Sequence, residues 1–73
     1  MKPKLRYDSK NVKGLITCDT TVAAKIEEIL GRCGYAKFNT IVEGSKSTVV
    51  VTVRDKADFK RLNSYWKSAK QFI

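Results

Sequence analysis

Hydrophobic and polar positions alternate in three segments of this chain and recur at helical spacing in two others. Residues 48–53, TVVVTV, form the most β-branched stretch, with valine at positions 49, 51 and 53 along one face. A strand that is apolar on nearly both faces is typical of the middle of a sheet. We therefore expect this segment to be the central strand.

Two further segments show the alternation of a strand. Residues 12–18 mix apolar and polar side chains around Gly14, a residue that weakens a strand or marks a bulge. Residues 35–42 are followed by the polar loop at residues 43–46, whose length is typical of a β-hairpin. The pattern predicts that the second and third strands are antiparallel neighbours.

Two helices are predicted from apolar residues three and four positions apart. The first covers residues 20–33, with Asp19 or Thr20 as its N-cap and a glycine at its end. The second begins at Asp55 and shows the clearest periodicity in the chain. Its apolar stripe comprises Phe59, Leu62, Trp66, Ala69 and Ile73.

The predicted order is strand, helix, strand, strand, helix, which defines an α+β domain with βαββα topology. A right-handed crossover leaves a gap between the first two strands, and the third strand can fill it antiparallel to both. We expect a three-stranded sheet in the order first, third, second, with both helices on one face. This arrangement resembles a split βαβ, truncated ferredoxin-like fold.

Residues 1–11 are predicted to form a basic, partly flexible arm, and residues 12–73 a single domain. Leu5 and Tyr7 alternate with charged residues, a pattern that also fits a short edge strand. The outer edge of the first predicted strand is unpaired in a three-stranded sheet. We expect either this arm or another chain to cover it.

Two short motifs resemble those of nucleic-acid-binding families. Gly31-Arg32-Cys33-Gly34 is similar to the glycine-x-x-glycine loop of KH domains, in which a helix follows the loop. A KH-like fold is therefore the alternative, although the β-branched residues 40–42 favour a strand at that place. Gly34-Tyr35-Ala36 with Phe38 resembles the aromatic motif of RNA-recognition domains, which that family carries on its third strand.

The charge balance points to a polyanionic partner. Fifteen lysine and arginine residues against seven acidic ones give a formal net charge of +8 on 73 residues. A positive field of this density attracts nucleic acid or an acidic protein surface. We expect a small nucleic-acid-binding or regulatory module that contacts phosphates through the last helix and the arm. The predicted binding residues are Lys56, Lys60, Arg61, Lys67, Lys70, Lys4, Arg6, Tyr35 and Lys37.

Tyr35 and Lys37 belong to this set because we expect them on the sheet face that no helix covers, where an aromatic ring can stack on an unpaired base. The same face carries Leu15, Ile41 and Val50, which form an apolar patch. The alternative function is therefore a small protein-binding modulator or inhibitor, of the kind that phages encode, using this face and the open edge. A homodimer through either surface is a further expectation.

Other classes of function are disfavoured by composition. The chain has no histidine, and its two cysteines lie fifteen positions apart, so we predict no catalytic site, no metal, no cofactor and no enzyme activity. No segment is long and apolar enough to span a membrane, and no apolar run follows the basic amino terminus. These features lead us to expect a cytoplasmic protein.

Overall fold

The computed structural model describes residues 3–35, 37–69 and 71. Its strands are β1 (Lys4–Asp8), β2 (Lys13–Asp19), β3 (Phe38–Glu43) and β4 (Lys46–Thr52). Its helices are α1 (Thr20–Arg32) and α2 (Lys56–Ala69). The α+β class is confirmed. The prediction of three strands is wrong, because the described residues form a sheet of four.

The sheet order is β1-β2-β4-β3, and every neighbouring pair is antiparallel. The valine-rich β4 therefore lies between β2 and β3, which run parallel to each other on its two sides. Helix α1 is the crossover that joins them. Residues 38–43 pair with β4 along their whole length, so the helix that a KH-like fold needs after Gly34 is replaced by a strand.

The fourth strand is β1, which the sequence placed in a flexible arm. It pairs with β2 from Lys4 opposite Thr17 to Asp8 opposite Lys13. The alternating Leu5 and Tyr7 both pack against the hydrophobic core. The Tyr7 ring contacts the Phe59 ring of α2 at a centroid distance of 4.7 Å. Burial of these two side chains accounts for the pairing, since it offsets the conformational entropy lost on ordering the arm.

The turn between β1 and β2 is held by the carboxylate of Asp8. It accepts hydrogen bonds from the backbone N–H of Lys10 at 3.1 Å and from that of Asn11 at 3.3 Å. The Asn11 side-chain amide donates a third bond at 2.9 Å. That side-chain bond is the main reason that the pKa of Asp8 is lowered. An ionised carboxylate thus closes the hairpin that brings β1 onto the sheet.

The core lies between one face of the sheet and both helices. Val49 and Val51 of β4 are fully buried, as are Ile26 of α1 and Ile16 of β2. Leu62 of α2 is also buried, and it packs over the same sheet face beside Gly14. The opposite face of the sheet has no helix over it in the described part of the chain. One face of the sheet is therefore covered by the helices, and the other face is uncovered.

The β3–β4 hairpin is anchored to the start of α1. Its two-residue turn begins with Gly44 at a φ of 64°, a left-handed conformation that glycine adopts without steric cost. The Thr20 hydroxyl donates to the Gly44 carbonyl at 2.8 Å, and the Thr20 N–H donates to the Ser45 carbonyl at 2.9 Å. The buried Ser47 hydroxyl lies 2.9 Å from the Thr20 hydroxyl. These contacts hold the hairpin and α1 together as one unit.

Gly14 allows α2 to approach β2 closely. A Cβ atom at this position would lie 3.1 Å from Leu62 Cδ2, 3.5 Å from Leu5 Cδ1 and 3.6 Å from Phe59 Cδ1. Gly14, which lowers the intrinsic strand propensity of β2, is thus the position at which α2 packs on the sheet. The absent side chain is replaced by side chains of α2 and β1.

We predict that Gly14→Val destabilises the protein by about 1–3 kcal/mol, because its two methyl groups overlap the space of Leu62 and Phe59. Urea unfolding measures the change. Gly31→Ala is the control, since a Cβ there meets nothing within 4 Å and removing a helical glycine stabilises by about 0.5–1 kcal/mol. Equal stability of Gly14→Val and the wild type would contradict the close packing.

Candidate nucleic-acid interface

The basic residues of α2 divide between two sides of the helix. Lys56, Lys60 and Lys67 are four and seven residues apart, which places them within about 40° of one another around the helix axis. Arg61 follows Lys60 directly and is turned by about 100° from it. All four side chains are exposed. Among the predicted binding residues on α2, Lys56, Lys60 and Lys67 therefore form one line, which we call the lysine line. Arg61 belongs to a different surface.

Lys67, the last residue of the lysine line, borders a groove between β1 and α2. The groove has a volume of about 280 Å³, and Lys4 and Arg6 of the edge strand β1 line it together with Lys67 of α2. Pro3, Leu5, Asn63 and Trp66 complete its lining. The described residues that line the groove thus include three cations and no acid. We call Lys4, Arg6, Lys56, Lys60 and Lys67 together the basic flank.

The floor of this groove limits what it can recognise. Trp66 is only 5% exposed, because its ring packs into the core between the sheet and α2. A base cannot stack on a ring that is covered in this way. The exposed groups of the groove are ammonium, guanidinium and amide donors, which suit phosphate oxygens.

A second basic surface surrounds a depression of about 460 Å³ at the other side of α2. It is lined by Lys37, Arg54 and Arg61, and Asp58 lies among them. The Arg61 guanidinium lies over the Tyr65 ring, 5.7 Å from its centroid. The negative charge of Asp58 makes this depression less suited to phosphate than the groove, because it partly cancels the surrounding cations.

Asp58 is fixed in this depression by hydrogen bonds of its carboxylate and of its backbone N–H. Its carboxylate accepts hydrogen bonds from the Arg54 N–H at 3.0 Å and from the Tyr35 hydroxyl at 3.1 Å. Its own N–H donates to the Asp55 carboxylate at 2.8 Å, so Asp55 caps the start of α2. The Arg54 backbone bond, followed by the Tyr35 bond, lowers the pKa of Asp58. The carboxylate is therefore ionised at neutral pH.

Tyr35 does not lie on the uncovered sheet face, so this expectation is wrong. Its side chain is 8% exposed, and burial together with the bond to Asp58 raises the pKa of its hydroxyl. A Schellman motif ends α1 and turns the chain inward: Gly34, at a φ of 85°, donates to Gly31, and the Tyr35 N–H donates to Leu30 at 2.9 Å. An apolar residue directly after the terminal glycine is the sequence signal for this burial.

Lys37 and Lys70 are the two predicted site residues still to be placed. Lys37 is exposed beside the second depression, and its carbonyl accepts a hydrogen bond from the Thr52 N–H. Lys70 lies outside the described residues. The structure thus brings Lys4 and Arg6 together with Lys67, but it does not bring Tyr35, Lys37 or Arg61 to the same surface.

The uncovered sheet face presents a mixed surface. One row across the strands contains Arg6, Leu15, Val50 and Asn39, and the next contains Lys4, Thr17, Thr48 and Ile41. The Lys13 ammonium donates to the Thr52 hydroxyl at 3.1 Å on the same face. Leu15 and Val50 are half-buried by their neighbours, whereas Ile41 is 44% exposed. The apolar patch is therefore narrow and flanked by polar groups.

Comparisons with protein-family models, curated proteins and solved structures return no match to this chain. Across residues 3–35, 37–69 and 71, no cluster of three or more histidine, cysteine, aspartate or glutamate side chains is arranged to hold a metal ion. No helix in this part of the chain has the length and apolarity needed to cross a membrane.

We predict that Asp58 contributes to acid sensitivity. Its pKa is lower in the folded than in the unfolded state, so the unfolded state binds more protons as the pH falls below about 4 and stability decreases. Asp58→Asn should lose less stability than the wild type between about pH 6 and about pH 2 in urea unfolding.

Tyr35→Phe serves as the intermediate case for this measurement. It removes one of the hydrogen bonds that lower the pKa of Asp58 and retains the backbone bond from Arg54. Its acid sensitivity should lie between those of the wild type and Asp58→Asn. Identical pH dependence in all three proteins would show that Asp58 is not responsible.

Proposed function

We propose that this protein is a small nucleic-acid-binding module, without enzymatic activity, that contacts the phosphate backbone through its basic flank. The observation that carries the proposal is the groove between β1 and α2, which Lys4, Arg6 and Lys67 line and whose described lining contains no acid. Neutralising phosphates releases condensed counterions, which is the main source of affinity for such surfaces.

The dimensions of the lysine line suit a nucleic-acid strand. Lys56 and Lys67 are eleven residues apart, which corresponds to about 16 Å along the axis of α2. Phosphates of one strand follow at an axial rise of about 3.4 Å, so the line spans roughly five of them. The cations of β1 extend the positive surface at the Lys67 end. This geometry supports a short, backbone-directed binding site.

The type of recognition follows from the groups in the basic flank. Its ammonium and guanidinium groups bind phosphate and carry little sequence information. Because Tyr35 and Trp66 are buried, neither ring is available to stack on bases. We propose that the protein binds nucleic acid with low sequence specificity. A regulatory effect would then arise because the bound protein covers the nucleic acid, without recognition of a defined base sequence.

A cytoplasmic location is part of the proposal. Cys18 and Cys33 are both free thiols. Free thiols suit a reducing compartment. Burial raises the pKa of the Cys18 thiol, which makes it less reactive.

Neutralising the groove should weaken nucleic-acid binding and flatten its salt dependence. The variant carries Lys4→Gln, Arg6→Gln and Lys67→Gln. Loss of three phosphate contacts should lower the slope of log K against log salt by about two to three for duplex DNA. Fluorescence anisotropy with a labelled duplex and a labelled single strand, each at several salt concentrations, measures the slope.

A matched control separates the site from net charge. Lys25→Gln, Lys46→Gln and Arg54→Gln, combined in one variant, lower the formal charge of +8 by the same three units at exposed positions outside the basic flank. This control should retain most of the wild-type slope. Equal losses in the two triple variants would contradict a localised site, and absence of wild-type binding at low salt would end the proposal.

Binding to another protein is the second candidate function. It is favoured by the exposed Ile41 and the half-buried Leu15 and Val50, which share the uncovered sheet face, since phosphate binding does not require these apolar side chains. A modulator of this kind would place the patch on its target. The basic flank would then increase the rate of association with an acidic surface.

Ile41→Lys distinguishes this function from nucleic-acid binding. In nuclease-treated affinity purification, it should remove a specific partner protein that the groove triple variant still retains. The same substitution should leave oligonucleotide binding intact, because Ile41 lies at the opposite edge of the sheet from β1. Recovery of the same partner by both variants would exclude the sheet face as the binding surface.

A further inference from the structure

The outer edge of β3 is the second end of the sheet. Among the described residues, no strand pairs with it. It also carries the most exposed large apolar side chains of the sheet, Ile41 at 44% and Val42 at 60%. An open strand edge with exposed apolar residues favours pairing with another strand.

The backbone groups that β3 offers can be assigned from its pairing with β4. The Thr52 N–H donates to the Lys37 carbonyl at 2.9 Å, and Glu43 and Lys46 flank a two-residue turn. Hydrogen-bonded and non-hydrogen-bonded pairs alternate along an antiparallel ladder, so residues 37, 39, 41 and 43 bond to β4. Phe38, Thr40 and Val42 therefore direct their N–H and C=O groups outward.

These outward groups fit a second copy of the same strand. In antiparallel pairing about a two-fold axis at Thr40, the three outward residues meet as hydrogen-bonded pairs: Phe38 with the partner's Val42, Thr40 with the partner's Thr40, and Val42 with the partner's Phe38. The exposed Val42 then packs on a half-buried aromatic ring. Aromatic and β-branched residues opposite each other are a favourable cross-strand pair.

The charges at the ends of β3 are complementary in the same register. Lys37 lies opposite the partner's Glu43, and Glu43 lies opposite the partner's Lys37. No lysine or arginine occurs between residues 38 and 43. The other edge, β1, carries Lys4 and Arg6, and cations on an edge strand oppose pairing. Charge complementarity and exposure thus select the β3 edge.

We propose that two copies of this chain associate through β3, antiparallel and in this register, to form a continuous eight-stranded sheet. The two β1 strands then lie at the outer ends of that sheet, so both basic flanks remain accessible. The dimer does not depend on nucleic-acid binding. An experiment that contradicts the dimer therefore leaves the proposed nucleic-acid binding untouched, and the reverse is also true.

Sedimentation equilibrium of the full chain tests the association. The apparent mass should rise from 8.3 kDa toward twice that value between about 1 µM and about 1 mM. Val42→Lys should weaken the dimer by about a hundredfold, since it replaces both valine–phenylalanine pairs with a charged group at the edge. Tyr65→Lys is the matched control, because it adds the same charge at another exposed apolar residue, on α2, and should not change the dimer.

A charge exchange tests the register. Lys37→Glu and Glu43→Lys each place like charges opposite each other at both ends of the interface, and each alone should weaken the dimer by about tenfold. The double variant restores opposite charges and should recover the wild-type dissociation constant. Both side chains are exposed in the monomer, so the exchange tests association without disturbing the core.

Three results would overturn the proposal. One is a monomer throughout the concentration range. Another is a dimer that Val42→Lys leaves unchanged, which would assign the contact to β1 or to the sheet face. The third is a double charge variant whose dimer dissociation constant is no lower than those of the single variants. Circular dichroism of each variant confirms that the monomer is folded.

Discussion

The packing of α2 against Gly14 of β2 is the contact on which the rest of the structure depends. Leu62 occupies the space that a side chain at position 14 would need. This close approach brings Phe59 against Tyr7 and Trp66 beside Leu5, so β1 gains an apolar surface to bury. A strand rich in lysine and arginine is thereby held next to a helix whose exposed side also carries lysines. The basic groove is a consequence of how the core is packed.

The two edges of the sheet differ in a way that follows from this arrangement. At the β1 edge, Lys4 and Arg6 repel another strand and attract anions, so the same cations protect the edge and form the groove. At the β3 edge, Ile41 and Val42 are exposed, and the strand is flanked by the cation Lys37 at one end and the anion Glu43 at the other. A polyanion and a second copy of the chain would therefore use opposite ends of the molecule without competing.

The far side of α2 has a structural role. The Tyr35 hydroxyl and the Arg54 N–H both donate to Asp58, which ties the end of α1 and the end of β4 to the first turn of α2. The ionised carboxylate stabilises the helix start, where the helix dipole is positive. Lys37, Arg54 and Arg61 surround this carboxylate, whose negative charge partly cancels theirs. The two clusters therefore differ in charge, since the second depression contains Asp58 and the described lining of the groove contains no acid.

Local pattern determined both helices and the strands β2, β3 and β4. The periodicity of residues 20–33 and 55–69 specified both helices, and the valines at positions 49, 51 and 53 specified the buried central strand, because these signals arise within a few residues of each other. Tertiary structure decided the rest. Whether residues 4–8 form a strand depends on the contact of Tyr7 with Phe59 of α2, and the partner of the buried Tyr35 hydroxyl is Asp58. Both contacts join residues more than twenty positions apart. The groove likewise depends on packing at Gly14, which holds α2 close to the sheet so that Lys67 lines the same groove as Lys4 and Arg6. Composition and spacing do not contain this proximity.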